Sequence, residues 1–193
     1  LAPETRPSHV AAGDLDGDGV TDVVIGSALH REVWVTFGAD GLSGDFRLQE
    51  ADLTFVQCLG DTDFVASEFG RDVAVGDWNN DGTDDLAVSA PGCVNGEGRV
   101  FVWYGGPGLD PAQPDLALSG GDRLGGELNV EDLDGDGRDD LFVQELRSGG
   151  NLNRSNLWIY LGDDGGLAST PDATIQAGTV DVRFGESIAM LPD

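Results

Sequence analysis

One acidic segment is written three times along this chain. It reads GDLDGDGVTDVVIGSA from Gly13, GDWNNDGTDDLAVSAPG from Gly76 and EDLDGDGRDDLFVQEL from Glu131, so that its first aspartates, Asp14, Asp77 and Asp132, stand 63 and 55 residues apart. Self-similarity at such a period means that one supersecondary unit is stacked on copies of itself. The surroundings repeat as well. A short alternating run precedes each segment (HVAAGDL, DVAVGDW, ELNVEDL) and another closes it (DVVIGSA, DLAVSAP, DLFVQEL). A third run ends in glycine (EVWVTFG, GRVFVWYG, NLWIYLG), which puts Gly38, Gly105 and Gly162 in register, and a weaker fourth follows (DFRLQE, PDLALSG, ATIQAG). These runs are rich in Val, Ile and aromatic residues and bounded by Gly, Asp and Pro, the marks of short strands. No sustained helical period with caps interrupts them.

The expected fold is therefore all-β, with four antiparallel strands per unit, which is how a β-propeller blade looks in sequence. The units span residues 5–52, 65–120 and 123–178. Arg183-Phe184-Gly185 opens a fourth and, with the alternating ESIAMLPD of 186–193, supplies its first strand over 183–193, breaking off at Asp193 where its acidic loop would start. Three blades and a strand do not close a ring of four to eight. An incomplete ring is expected, its remaining blades coming from a longer chain or from self-association. Trp34, Phe101 and Trp158, equivalent on the third strands, are expected to pack between blades.

Numbered from its first aspartate, the first acidic loop offers carboxylates at positions 1, 3, 5 and 9 (Asp14, Asp16, Asp18, Asp22), a turn glycine at position 6 and the Val20 carbonyl at position 7. The second offers Asp77, Asn79, Asp81 and Asp85 with the Thr83 carbonyl; the third offers Asp132, Asp134, Asp136 and Asp140 with that of Arg138. Oxygens from successive odd positions wrap a hard cation, and six to eight of them suit calcium. An EF-hand would require Glu at position 12, where Ile25, Val88 and Val143 stand instead, and helical flanks where strands are expected. The loop must close through the aspartate at position 9, tying the first two strands of each unit at their hairpin. Three calcium sites follow, and Asp22→Ala is expected to lower thermal stability in calcium and change little in chelator.

Composition sharpens the same reading. The chain carries 27 Asp and 9 Glu against 10 Arg and no Lys, a net charge of −26, and 13 of the aspartates fall in the three loops. Such a surface repels nucleic acid and anionic lipid, and its clustering points to bound cations. No apolar run reaches the roughly 18 residues of a membrane-spanning helix.

With Phe69-Gly70, the loop from Asp77 to Asp85 and Ser89-Ala90-Pro91-Gly92, the second unit resembles the FG-GAP repeats of the integrin alpha-subunit β-propellers and their bacterial relatives. The third unit has Leu124-Gly125 but reads Val143-Gln144-Glu145 where the family has Gly-Ala-Pro. In the first, Ile25-Gly26-Ser27-Ala28 takes that place and no Phe-Gly precedes it. The resemblance implies a ring of seven blades and a calcium-stabilised extracellular scaffold, secreted or on the cell surface, for adhesion or protein recognition. A carbohydrate-binding propeller, holding sugars on Trp78 or Trp103, is the alternative, as is the non-catalytic propeller region of a larger secreted enzyme. No catalysis is expected of the chain: its two histidines, His9 and His30, sit in no nucleophile or metal motif and read as surface residues. Cys58 and Cys93 lie in loops on one face of the second blade, either as a disulfide, in keeping with an oxidising compartment, or as two buried thiols.

Overall fold

The computed structural model describes residues 9–39, 47–58, 67–146 and 155–176. They form three four-stranded antiparallel sheets, each a simple meander. The first comprises β1 (His9–Gly13), β2 (Asp22–Ser27), β3 (Glu32–Thr36) and β4 (Leu53–Phe55). The second comprises β5 (Val73–Gly76), β6 (Asp85–Ala90), β7 (Arg99–Trp103) and β8 (Leu116–Ser119). The third comprises β9 (Leu124–Glu131), β10 (Asp140–Glu145), β11 (Asn156–Tyr160) and β12 (Ala173–Gln176). Helix is confined, among the described residues, to single turns at Leu48–Glu50 and Cys93–Gly96. These are the propeller blades the repeat predicts. β1 contacts β5 and β5 contacts β9, so the first strands of successive blades stand side by side.

Alternation along the middle blade explains how the sheets stack. Val73, Leu86, Val88, Phe101 and Trp103 face the first blade and pack with Val24, Val33, Val35, Phe55 and Phe69. Their sequence neighbours Ala74, Ala87, Val100 and Val102 point the other way and pack with Leu124, Leu128, Leu141, Val143 and Tyr160 of the third blade. A strand covered on both faces loses the polar half of its alternation, which is why β6 is buried along its whole length. The outermost strand has only one neighbour and weaker cover: β12 is exposed throughout. The faintness of the fourth run in sequence has that cause.

The first blade departs from expectation at its outer edge. Its fourth strand is Leu53–Phe55, beyond the DFRLQE run, and the last three residues of that run form the turn Leu48–Glu50. LTF supplies Phe55, fully buried and edge-on to Trp103 of the next blade. Packing across blades selects the strand. The segment 183–193, expected to begin a fourth blade, lies outside the described residues.

Phe69-Gly70 and Leu124-Gly125 lie where one blade meets the next. Gly70 has a φ of 77° and its N–H donates to the Ser89 carbonyl. A Cβ there would stand 2.7 Å from the Glu32 carbonyl of the preceding blade, so only glycine fits. Cys58 and Cys93 form a disulfide, joining the connection out of the first blade to the turn after β6.

Candidate metal sites

The three acidic loops fall in the β1–β2, β5–β6 and β9–β10 hairpins, whose last pairs are Gly13 with Asp22, Gly76 with Asp85, and Glu131 with Asp140. Their backbones follow one plan. The carboxylate at position 1 accepts from the N–H groups of positions 5 and 6, as Asp14 does from Asp18 and Gly19, Asp77 from Asp81 and Gly82, and Asp132 from Asp136 and Gly137. Position 3 accepts from the N–H of position 5, through Asp16, the Asn79 amide oxygen and Asp134. Position 5 accepts from the N–H of position 7, where Val20, Thr83 and Arg138 stand. This winding requires left-handed backbone at position 4 (Gly17, Asn80, Gly135) and position 6 (Gly19, Gly82, Gly137), and only Gly and Asn occupy those places.

Coiling the loop gathers its acidic groups. One oxygen each from Asp14, Asp16 and Asp18 lies within 4.8 Å of the others, and the same holds for Asp132, Asp134 and Asp136. The second loop substitutes an amide oxygen, Asn79, at the equivalent place, with its Nδ2 donating to Asp81 at 3.0 Å. Every donor is a hard oxygen, a set that fits calcium. The residues that would hold the ion are those at positions 1, 3 and 5, with the position 7 carbonyl and the carboxylate at position 9.

Position 9 also has a task of its own. Asp22, Asp85 and Asp140 are buried beneath the loops. One oxygen of each accepts the N–H of position 2 in its own loop (Leu15, Trp78, Leu133). The other accepts the N–H of the glycine after the third strand, Gly38, Gly105 or Gly162, at 2.8 to 2.9 Å. That accounts for the register of the three glycines, because a Cβ on any of them would collide with the carbonyl of position 8 (Thr21, Asp84 or Asp139). Burial raises the pKa of all three aspartates against the pull of these N–H groups, and carries Asp85 to about 7. A nearby cation would favour their ionised form.

The third loop brings its own cation. Arg138, expected to act through its carbonyl alone, sends its guanidinium to Asp136 Oδ2 at 2.6 Å and to Asp164. A calcium ion there must share Asp136 with it.

Two further aspartates escaped the sequence reading, although the doubled Asp at the end of loops two and three marks them. Asp84 Oδ2 accepts the N–H of Asp14 in the preceding blade at 2.7 Å, and Asp139 Oδ2 accepts that of Asp77 at 3.0 Å. Each position 8 aspartate thus grips the start of the loop before it. Gly13 and Gly76 make room, since a Cβ on either would run into the gripping carboxylate.

The tryptophans considered for sugar stacking are not available: Trp78 and Trp103 are fully buried in the blade cores. Trp34 and Phe101 are buried as expected, and Trp158 packs partly buried against the core between blades two and three. His30 packs beside Trp34 and contacts Ser27, while His9 is not free at the surface but meets Asp72.

Comparison with known proteins agrees with this architecture. The FG-GAP repeat family matches residues 7–35 and the FG-GAP-like repeat family residues 77–143. Integrin alpha-8 of Mus musculus is 29% identical over 195 residues, 93% of this chain and 17% of the relative. Phosphatidylinositol-glycan-specific phospholipase D of Mus musculus is 35% identical over 153 residues, 69% of this chain and 17% of the relative. Integrin alpha-IIb of Homo sapiens is 31% identical over 182 residues, 87% of this chain and 16% of the relative. The fold and its acidic hairpins define an FG-GAP β-propeller segment. The chain belongs to the FG-GAP repeat family of the integrin alpha type. It spans about 17% of the length of the relatives named first.

Proposed function

We propose that the chain is part of a calcium-stabilised extracellular propeller scaffold that presents its loops to a protein ligand. The observation that carries this reading is the threefold recurrence of one loop geometry, with hard oxygens gathered over an aspartate whose pKa burial raises. The disulfide, the acidic surface and the similarity to integrin alpha chains support an extracellular setting. Leu133, the third copy of a position buried as Leu15 and Trp78 in the first two blades, is 39% exposed, which supports a further blade beside it. Similarity to the phospholipase supports a second reading, the propeller portion of a larger secreted enzyme.

Calcium titrated calorimetrically into the chelated full chain should bind at three sites, the third loop weakest because Arg138 competes for Asp136. Asp16→Ala should remove one equivalent and leave the melting temperature in chelator near that of the parent, since the Asp18 N–H whose bond it loses is exposed. Asp22→Ala, by contrast, should destabilise the chain in chelator as well, because it strands the N–H groups of Leu15 and Gly38. This replaces the expectation drawn from sequence. Absence of calcium binding, or stoichiometry unaltered in Asp16→Ala, would sink the assignment. Dissociation constants of roughly 0.1 to 1 mM are in the range of extracellular modules.

A further inference from the structure

Away from the acidic loops, the first strands of the three blades bring one imidazole and two carboxylates together. His9 begins β1, Asp72 immediately precedes β5 and Glu127 lies within β9. One donor atom from each lies within 4.8 Å of the other two. Asp72 is the fixed member. It is 2% exposed, and its two oxygens accept the N–H groups of Val73 at 2.8 Å and Leu128 at 2.7 Å. His9 meets it through Nδ1 and stays solvent-accessible on the other side, its side chain 41% exposed.

Glu127 is half-buried beside Asp72. Burial first, and then the charge of Asp72, raise the pKa of Glu127. Arg71 relieves this little, for its guanidinium is committed to Glu68 at 2.8 Å and to the Gly126 carbonyl at 3.2 Å. Two abutting acids at a blade junction are a costly way to pack strands, when apolar residues would serve. The donors also differ in kind from those of the loops. One nitrogen and two carboxylates on three separate strands, open to solvent on one side, form the ligand set of a borderline transition metal; calcium prefers oxygen alone. Around a zinc ion at about 2.1 Å, ligand atoms stand roughly 3.4 Å apart. The three donor atoms, all within 4.8 Å of one another, are already gathered near that scale.

We propose that His9, Asp72 and Glu127 bind a divalent transition-metal ion of the zinc class, pinning the first strands of three successive blades where the ring's axis would run. The site is independent of the calcium loops. With the full chain held in saturating calcium, mass spectrometry of the metal content after zinc loading should find one zinc per chain, and cobalt substituted for it should give visible absorption bands. His9→Ala and Glu127→Gln should each weaken zinc binding at least roughly tenfold, while their melting temperatures in calcium without zinc stay near that of the parent. Asp16→Ala should leave zinc binding unchanged. Zinc that is absent, that binds equally well to His9→Ala and Glu127→Gln, or that is lost in Asp16→Ala would overturn the proposal; the last outcome would mean that it had been occupying a calcium loop.

Discussion

At the scale of single residues, the aspartates of one loop divide into three kinds that composition does not separate. Those at positions 1, 3 and 5 face the enclosed centre, those at position 9 are buried beneath it, and Asp84 and Asp139 turn away to hold the preceding blade. The sequence shows the first two kinds through spacing. The third appears only as a doubled letter, because its partner is a backbone N–H in another repeat. Burial gives Asp85 a testable signature. Its folded pKa of about 7 lies above the ordinary 3.8, so the folded chain binds more protons than the unfolded one between those values. In chelator, the contribution of Asp85 to stability should be greatest below about pH 4 and be lost as the pH rises toward about 7. Calcium, binding the ionised form, should flatten or reverse that slope. Melting temperatures across this range with and without calcium decide the matter, and a slope that ignores calcium would count against Asp85 as a ligand.

At the scale of the element, each hairpin couples a metal loop to a blade junction. The N–H of Asp14 reaches Asp84 and its carbonyl accepts the N–H of the same residue, so loop one is bonded to blade two from both sides. Leu15 and Trp78, at position 2, lend their carbonyls to Gly106 and Asp163 of the following blade. Asp84→Ala should therefore cost about 2 kcal/mol, the range of a hydrogen bond to a charged acceptor. Asp139→Ala should do the same at the next junction, and the double variant should lose at least the sum, because each single variant also relieves the charge repulsion between the two carboxylates. Urea unfolding of the three variants provides the check; a double variant no worse than either single one would show that the grips do not act separately. Strand identity was legible through each unit, including the rim strands β8 and β12 in the runs PDLALSG and ATIQAG. Only the fourth strand of the first blade was misplaced, because packing of Phe55 against the next blade, and no local alternation, selects it.

For the molecule as a whole, stability rests on stacking between blades and on one covalent tie. The Cys58–Cys93 disulfide closes a loop with a sequence separation of 35, and the chain-entropy estimate for a loop of that length is about 4 kcal/mol. Cys58→Ser/Cys93→Ser should lower stability by up to that amount; a loss close to zero would mean that the junction is held without it. What the sequence by itself determined was the repeat, the four strands of a blade and the spacing of the acidic loops' oxygens, because each is set by spacing within a single unit: period 2 for strands, odd positions for oxygens, glycine where φ is positive. Only the tertiary structure decided that Trp78 and Trp103 are core residues rather than a sugar platform, that Arg138 competes for its own loop, and that His9 meets Asp72 and Glu127 across three blades. Those relations join residues more than fifty positions apart or depend on where a side chain turns. No local period records them, because their partners become neighbours only when one blade is laid against the next.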